Sequence, residues 1–283
     1  MRTEEEVMGL IKNVGAEDER IRAVWLNGSR VNPNVKSDVF QDYDVVFVVD
    51  QLPPFLEATD WINVFGERII TQMPETFGVD VPSEERPFSY LMLFEDGNRI
   101  DLTLVPLPLA SERFLKDSLT KVLLDKDEQF LTSVQPSEES YYVQPPSAKF
   151  YEQTVNEFWW VSTYVAKGLA RKELPYAKAM MEGPVRAMLN RMLGWFVGTL
   201  HQFQVNVGKE GKYLEWFLPK ERWSQVKGTY AGADYAEQWD ALFEAYSVME
   251  ELMRELETFF QYPSVSYQGV RHYVKDIRER CEE

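Results

Sequence analysis

Cysteine is nearly missing from this chain: Cys281 is the single one among 283 residues, so no disulfide can form within it. That scarcity fits a reducing compartment. Histidine is almost as rare, and His201 and His272 stand alone without ligand-spaced partners, which argues against a zinc centre. No apolar run approaches the roughly 20 residues needed to cross a bilayer. The opening Met1-Arg2-Thr3-Glu4-Glu5-Glu6 is acidic where a secretory leader is basic and then apolar. The expectation is a soluble cytoplasmic protein with no membrane attachment. Positive charge is in deficit too: 30 Lys and Arg against 46 Asp and Glu leave a net charge of −16. A nucleic-acid footprint needs clustered Lys and Arg, so no nucleic-acid partner is expected. An acidic chain instead steers cationic small molecules toward itself.

What the chain does have is enough apolar side chain to fill two cores, with 45% hydrophobic residues of which many are aromatic. Val7, Leu10, Ile11 and Val14 recur at helical spacing and predict a helix over residues 3–15. Strands are predicted from Ile21 to Leu26, from Asp42 to Val49, from Phe88 to Phe94 and from Arg99 to Val105. The last two flank Glu95-Asp96-Gly97-Asn98, a strong hairpin signal. Pro53-Pro54 breaks the chain, and Trp61 to Met73 reads as helical. After Pro145-Pro146-Ser147 the pattern turns helical, over about 148–172, 176–203 with a break at Gly183-Pro184, 214–227 and 234–261. Ser147 is a suitable N-cap for the first of these. The fold class expected is α+β: residues 1–145 form a small mixed sheet flanked by helices, and residues 146–283 form a helical bundle.

The chemistry concentrates in the first half. An apolar run ends in Leu26-Asn27-Gly28-Ser29-Arg30, and a loop leads to Gln41-Asp42-Tyr43-Asp44 at the mouth of the next strand. Positions i and i+2 of a strand share a face, so Asp42 and Asp44 present their carboxylates together. Like charges so placed need a compensating cation. In Asn98-Arg99-Ile100-Asp101-Leu102, Asp101 shares a face with Arg99 and Thr103 while Ile100 and Leu102 take the core. If the two strands are neighbours, three carboxylates meet beside a glycine turn, a set suited to two Mg²⁺ ions and a nucleoside triphosphate. Gly28 lets the backbone approach phosphate oxygens, Ser29 offers its hydroxyl, and Arg30 is a further phosphate candidate.

This order of elements resembles the nucleotidyltransferase superfamily of DNA polymerase β type. Within it, Leu93-Phe94-Glu95-Asp96-Gly97-Asn98, Ile100-Asp101-Leu102-Thr103-Leu104, Val122-Leu123-Leu124-Asp125-Lys126-Asp127, Asn156-Glu157-Phe158-Trp159 and Lys167-Gly168-Leu169-Ala170-Arg171 resemble the aminoglycoside 6-adenylyltransferases, the streptomycin-modifying enzymes. The resemblance covers most of the chain. It implies transfer of AMP from ATP, with Mg²⁺ and release of pyrophosphate, to a hydroxyl of a cationic aminoglycoside such as streptomycin. It implies that residues 1–145 are the nucleotidyltransferase domain and 146–283 a substrate-binding domain. Asp42, Asp44 and Asp101 then hold metal, and Asp101 is either a ligand or the general base. At 100° per residue Glu157, Trp160, Tyr164, Lys167 and Arg171 share one arc of their helix, and Phe158, Val161, Val165 and Leu169 another. The first arc is assigned to ligands: Glu157, Trp160 and Tyr164 to the acceptor, and Lys167 to phosphate. Lys212 and Tyr213, in the loop Lys209-Glu210-Gly211-Lys212-Tyr213-Leu214, are candidates for phosphate contact and adenine stacking. A monomer or weak homodimer is expected. Two other readings remain: a nucleotidyltransferase with another acceptor, and a non-catalytic antitoxin-type relative.

Overall fold

Alternation at period two builds the first half of the molecule. A computed structural model describes residues 1–78, 86–130 and 135–282. The chain divides into two units, Met1–Ser140 and Tyr141–Glu283.

In the first unit α1 (Glu4–Glu17) begins at a capping box, in which the Thr3 hydroxyl accepts from the Glu6 amide and the Glu6 carboxylate accepts from the Thr3 amide. Six strands follow: β1 (Ile21–Asn27), β2 (Tyr43–Val49), β3 (Arg68–Gln72), β4 (Phe88–Phe94), β5 (Arg99–Pro106) and β6 (Thr120–Asp125). They pair in the order β3-β4-β5-β2-β1-β6, with β2 and β5 parallel and the other pairs antiparallel. The sheet is therefore mixed, as the sequence predicts. One face buries Tyr43, Val45, Phe47, Ile100, Leu102 and Leu104 together with Val7 and Ile11 of α1. The other face buries Trp25, Val46, Val48 and Val105 with Ala110 of α3 (Leu107–Lys116). With both faces of the central strands covered, Asp44 and Asp101 lie toward the starts of β2 and β5.

The predicted helix over Trp61–Met73 is not there. Pro53-Pro54 instead start a short α2 (Pro53–Glu57), a tight 3-10 turn spans Thr59–Phe65, and β3 follows. Gly66 at φ +116° stops the turn, and Ile69, Ile70 and Thr71 are β-branched and favour the pleat. Ile69 and Ile70 are both largely exposed on this edge strand, whereas Ile62 and Phe65 of the preceding turn are buried.

The second unit is helical. It consists of α4 (Ala148–Ala170), α5 (Leu174–Met180), α6 (Arg186–Leu200), α7 (Leu214–Phe217), α8 (Lys220–Gly228), α9 (Tyr235–Phe260) and α10 (Gln268–Glu282). The Ser147 hydroxyl caps α4 by accepting from the Phe150 amide. The break predicted at Gly183-Pro184 is a π-turn over Met181–Val185, where the missing proline N–H is absorbed. Pro219 divides the predicted 214–227 helix into α7 and α8. The core joins Phe158, Val165 and Leu169 of α4 to Leu189 and Leu193 of α6 and Leu242, Met249 and Leu256 of α9. Within it the Tyr246 hydroxyl donates to the Ser162 hydroxyl oxygen at 2.9 Å. No described helix is long and apolar enough to cross a membrane.

Candidate active site

Strand register assembles the polar cluster. Asp101 on β5 lies beside Asp44 on β2, Asp44 beside Asn27 on β1, and Asn27 beside Thr120 on β6. Directly paired residues share a face, so these four form one row across four strands. Two strands that are far apart in sequence are thus the neighbours that the carboxylate pattern required.

At the end of the row the chain turns at Gly28, whose φ is +74° and whose amide donates to the Leu119 carbonyl at 3.1 Å. A Cβ there would collide with the Asp44 carboxylate. The glycine turn and Asp44 are therefore in direct contact, and Ser29 follows in the same turn over Gly28–Val31.

Electrostatics set the character of the cluster. The Asp44 carboxyl is pushed up to about 6, first by burial, then by the charges of Asp101 and Asp42, with Arg99 opposing. Burial also raises Asp42, again against Arg99. Arg99 is the local cation. Its Nε and Nη2 donate to the two oxygens of Asp101 at 2.8 and 2.7 Å, and its Nη1 lies 3.6 Å from Asp42. The sequence placed Arg99 on the same face as Asp101 but did not show that one guanidinium serves two of the three aspartates. Asn27 and Asp117 were missed as well. The Asn27 amide donates to Asp117 at 2.8 Å, while its own Oδ1 and the Thr120 hydroxyl oxygen are buried without a hydrogen-bond partner among the described residues. Two unsatisfied polar atoms on this row are a signal available only once register is known.

Among the described residues, no three carboxylate, histidine or cysteine side chains stand close enough together to enclose a metal ion as they are. The donor set nevertheless fits Mg²⁺: three hard carboxylates, a guanidinium already drawn to two of them, and an Asp44 whose ionisation its neighbours oppose.

The other expected residues fall out differently. Arg30 is committed to structure: its side chain is 8% exposed, it donates to the Asp42 and Gln41 carbonyls at 3.0 and 2.6 Å, and it lies over the Tyr43 ring. It shapes the loop into β2 instead of offering a free guanidinium to phosphate. The remaining residues belong to the second unit. Trp160 on α4 is 60% exposed, and its indole N–H donates to the Tyr164 hydroxyl at 2.6 Å. Glu157 is exposed and shares a surface hollow with Met188 and Arg191. Lys167 is half-buried and Lys212 exposed. Tyr213 is packed, with its ring stacked on Trp216 at 4.3 Å, so the face expected for adenine is covered.

A glycine turn against carboxylates on paired strands of a mixed sheet is the arrangement expected from the resemblance to the nucleotidyltransferases. Comparison with known proteins narrows that class: residues 1–277 match the streptomycin adenylyltransferase family, and the chain belongs to it. An aminoglycoside 6-adenylyltransferase of Bacillus subtilis (strain 168) is 38% identical over 279 residues, 98% of each chain. One of Campylobacter jejuni is 39% identical over 99% of this chain and 96% of its own. One of Staphylococcus aureus is 33% identical over 87% and 90%. A solved structure of an aminoglycoside 6-adenyltransferase from Bacillus subtilis shares 34% identity, covers 98% of this chain and 99% of its own, and superposes with a TM-score of 0.49.

Proposed function

We propose that this enzyme transfers AMP from ATP to a hydroxyl of an aminoglycoside, streptomycin before others, and releases pyrophosphate. The observation that carries the reading is the register of Asp44 beside Asp101 under the Gly28 turn. The names of the family and of its relatives support the acceptor class. In this reading residues 1–145 bind the nucleotide and residues 146–283 the acceptor.

Asp42, Asp44 and Asp101 would hold Mg²⁺, two ions by the number of carboxylates. Bound there, the metal would offset triphosphate charge and favour the alkoxide form of the attacking hydroxyl. Ser29 holds β- and γ-phosphate oxygens through its hydroxyl and backbone N–H, and Gly28, whose own amide is bonded to the Leu119 carbonyl, lets the backbone approach them. The acceptor oxygen attacks the α-phosphorus, and the bond to the bridging oxygen breaks. Asp101 either shares the metal with Asp42 and Asp44 or takes the hydroxyl proton, and in both roles Arg99, clasping it, keeps that carboxylate oriented. Lys167 and Lys212 are the cations assigned to the departing pyrophosphate. Glu157, Trp160 and Tyr164 offer one carboxylate and two aromatic rings to a cationic acceptor, a pairing favoured by charge-assisted hydrogen bonds and by cation–π contact with the ring faces.

Pyrophosphate release with ATP and Mg²⁺ across streptomycin, spectinomycin and kanamycin tests the reading. Turnover is expected with streptomycin, falling by about 100-fold or more in Asp44→Asn, a loss of about 3 kcal/mol in transition-state stabilisation. No release with any of the three, or near-normal turnover in the variant, would refute it.

A further inference from the structure

The second unit contains a pocket that the transfer chemistry leaves unused. It has a volume of about 480 Å³ and lies between the first turns of α4, the end of α9 and the segment leading into α10. Tyr151, Tyr262 and Tyr267 form aromatic walls, Glu257 lines the inside, and Glu152 and Lys149 line it from the exposed start of α4. The walls are fixed. Tyr267 stacks on Trp159 with the planes 4° apart, and the Tyr262 hydroxyl donates to the Pro146 carbonyl at 2.6 Å. Tyr151 and Tyr262 meet with ring centroids 5.4 Å apart.

Glu257 is the anomaly. It is 7% exposed, and among the described residues its carboxylate accepts one hydrogen bond, from the Tyr151 hydroxyl at 3.2 Å. No Lys, Arg or His forms an ion pair with it among the described residues, whereas the other buried ionic side chains, Arg186 and Arg222, are each paired with carboxylates. A neutral phenol does not balance a charge: burial and the nearby carboxylate together hold Tyr151 protonated well above the ordinary range. A buried carboxylate without a cation is costly unless something else supplies the charge. An aromatic-walled space beside it is the chemistry that recognises a guanidinium or ammonium group.

We propose that this pocket binds an organic cation, with Glu257 as counter-ion and the three tyrosines as its walls. Glu157, Trp160 and Tyr164 project from a different side of α4, so the pocket is not the surface assigned to the acceptor above. Because binding is read without nucleotide or metal, the proposal stands or falls apart from the transfer reaction.

The test is titration of the full-length protein with benzamidine, and with benzamide as its neutral counterpart, followed by calorimetry and by NMR contacts to tyrosine ring protons. Expected is saturable benzamidine binding with contacts to Tyr262 and Tyr267, weakened about tenfold or more in Glu257→Gln, and no comparable binding of benzamide. Lys149→Met should tighten it by removing a like charge at the mouth. Equal affinity of the two probes, equal affinity in wild type and Glu257→Gln, or contacts only elsewhere in wild type, would overturn the proposal. The wild-type contacts decide even if Glu257→Gln fails to fold. Competition by streptomycin would identify the antibiotic's own guanidinium as the source of the cation, and its absence would identify a separate small cation; the pocket is a cation site in either case.

Discussion

Asp44 is placed where its charge is unwelcome to the fold. Its carboxyl is held near 6 against an ordinary 3.8 by burial and by two neighbouring aspartates. Below pH 3.8 the group is protonated folded or unfolded, and its neutral form contributes fully to stability. As pH rises through 6 the folded protein must ionise a group that the unfolded chain ionises without penalty, and that contribution is lost. At neutral pH the cost is on the order of 3 kcal/mol. Asp44→Asn should therefore raise the melting temperature by several degrees at pH 7.5 in metal-free buffer, and by little at pH 4. Scanning calorimetry at the two pH values checks this, and an equal shift at both would show that charge is not the cause. In the proposed reading, Asp44 weakens the fold at neutral pH and is offset by the metal it would hold.

The element that makes this arrangement possible is the turn between β1 and the loop to β2. Gly28 holds φ at +74°, and a side chain there would meet the Asp44 carboxylate, so Gly28→Ala should strain the backbone and displace Asp44 together. The expected result is a stability loss of about 1–2 kcal/mol and transfer activity below about 1% of wild type. Gly269→Ala, at a helical position where an added Cβ meets nothing within 4 Å, is the control and should change stability by less than about 1 kcal/mol. Wild-type turnover in Gly28→Ala would remove the turn from the site. Elements of this kind were legible before the structure because their signals are local: Asp-x-Asp at a strand mouth, the Phe88, Tyr90, Met92, Phe94 alternation that is fully buried, and the Ser147 cap. β3 was misread because its isoleucines lie on an exposed edge, where no core enforces a period. α10 was overlooked although Val270, Val274 and Ile277 sit at helical spacing, because three apolar residues among many charges make a faint stripe. Of the row from Asp101 to Thr120, the meeting of Asp44 with Asp101 was expected on the condition that their strands pair, whereas the Asn27 and Thr120 end went unread, since strand order is a long-range choice that no window of sequence contains.

Across the whole molecule the net charge of −16 acts on both substrates, in opposite directions. An acidic field attracts a cationic acceptor and repels the nucleotide, whose complex with one Mg²⁺ is still anionic. Salt screens both effects, with a Debye length of about 10 Å at 0.1 M. Raising ionic strength from about 25 to 300 mM should therefore lower kcat/KM for the acceptor by about threefold or more while leaving that for ATP unchanged or raised. The comparison separates steering from a general salt effect on the enzyme, because a general effect moves both constants the same way. Asp42, Asp44 and Asp101 are part of the field that repels ATP, and Arg99 is the cation set against them. A Glu157→Gln change removes one acidic charge from the surface assigned to the acceptor, so it should flatten the salt dependence for the acceptor alone. Parallel slopes for the two substrates would mean that the acidity of the chain serves solubility and leaves acceptor capture to short-range contacts.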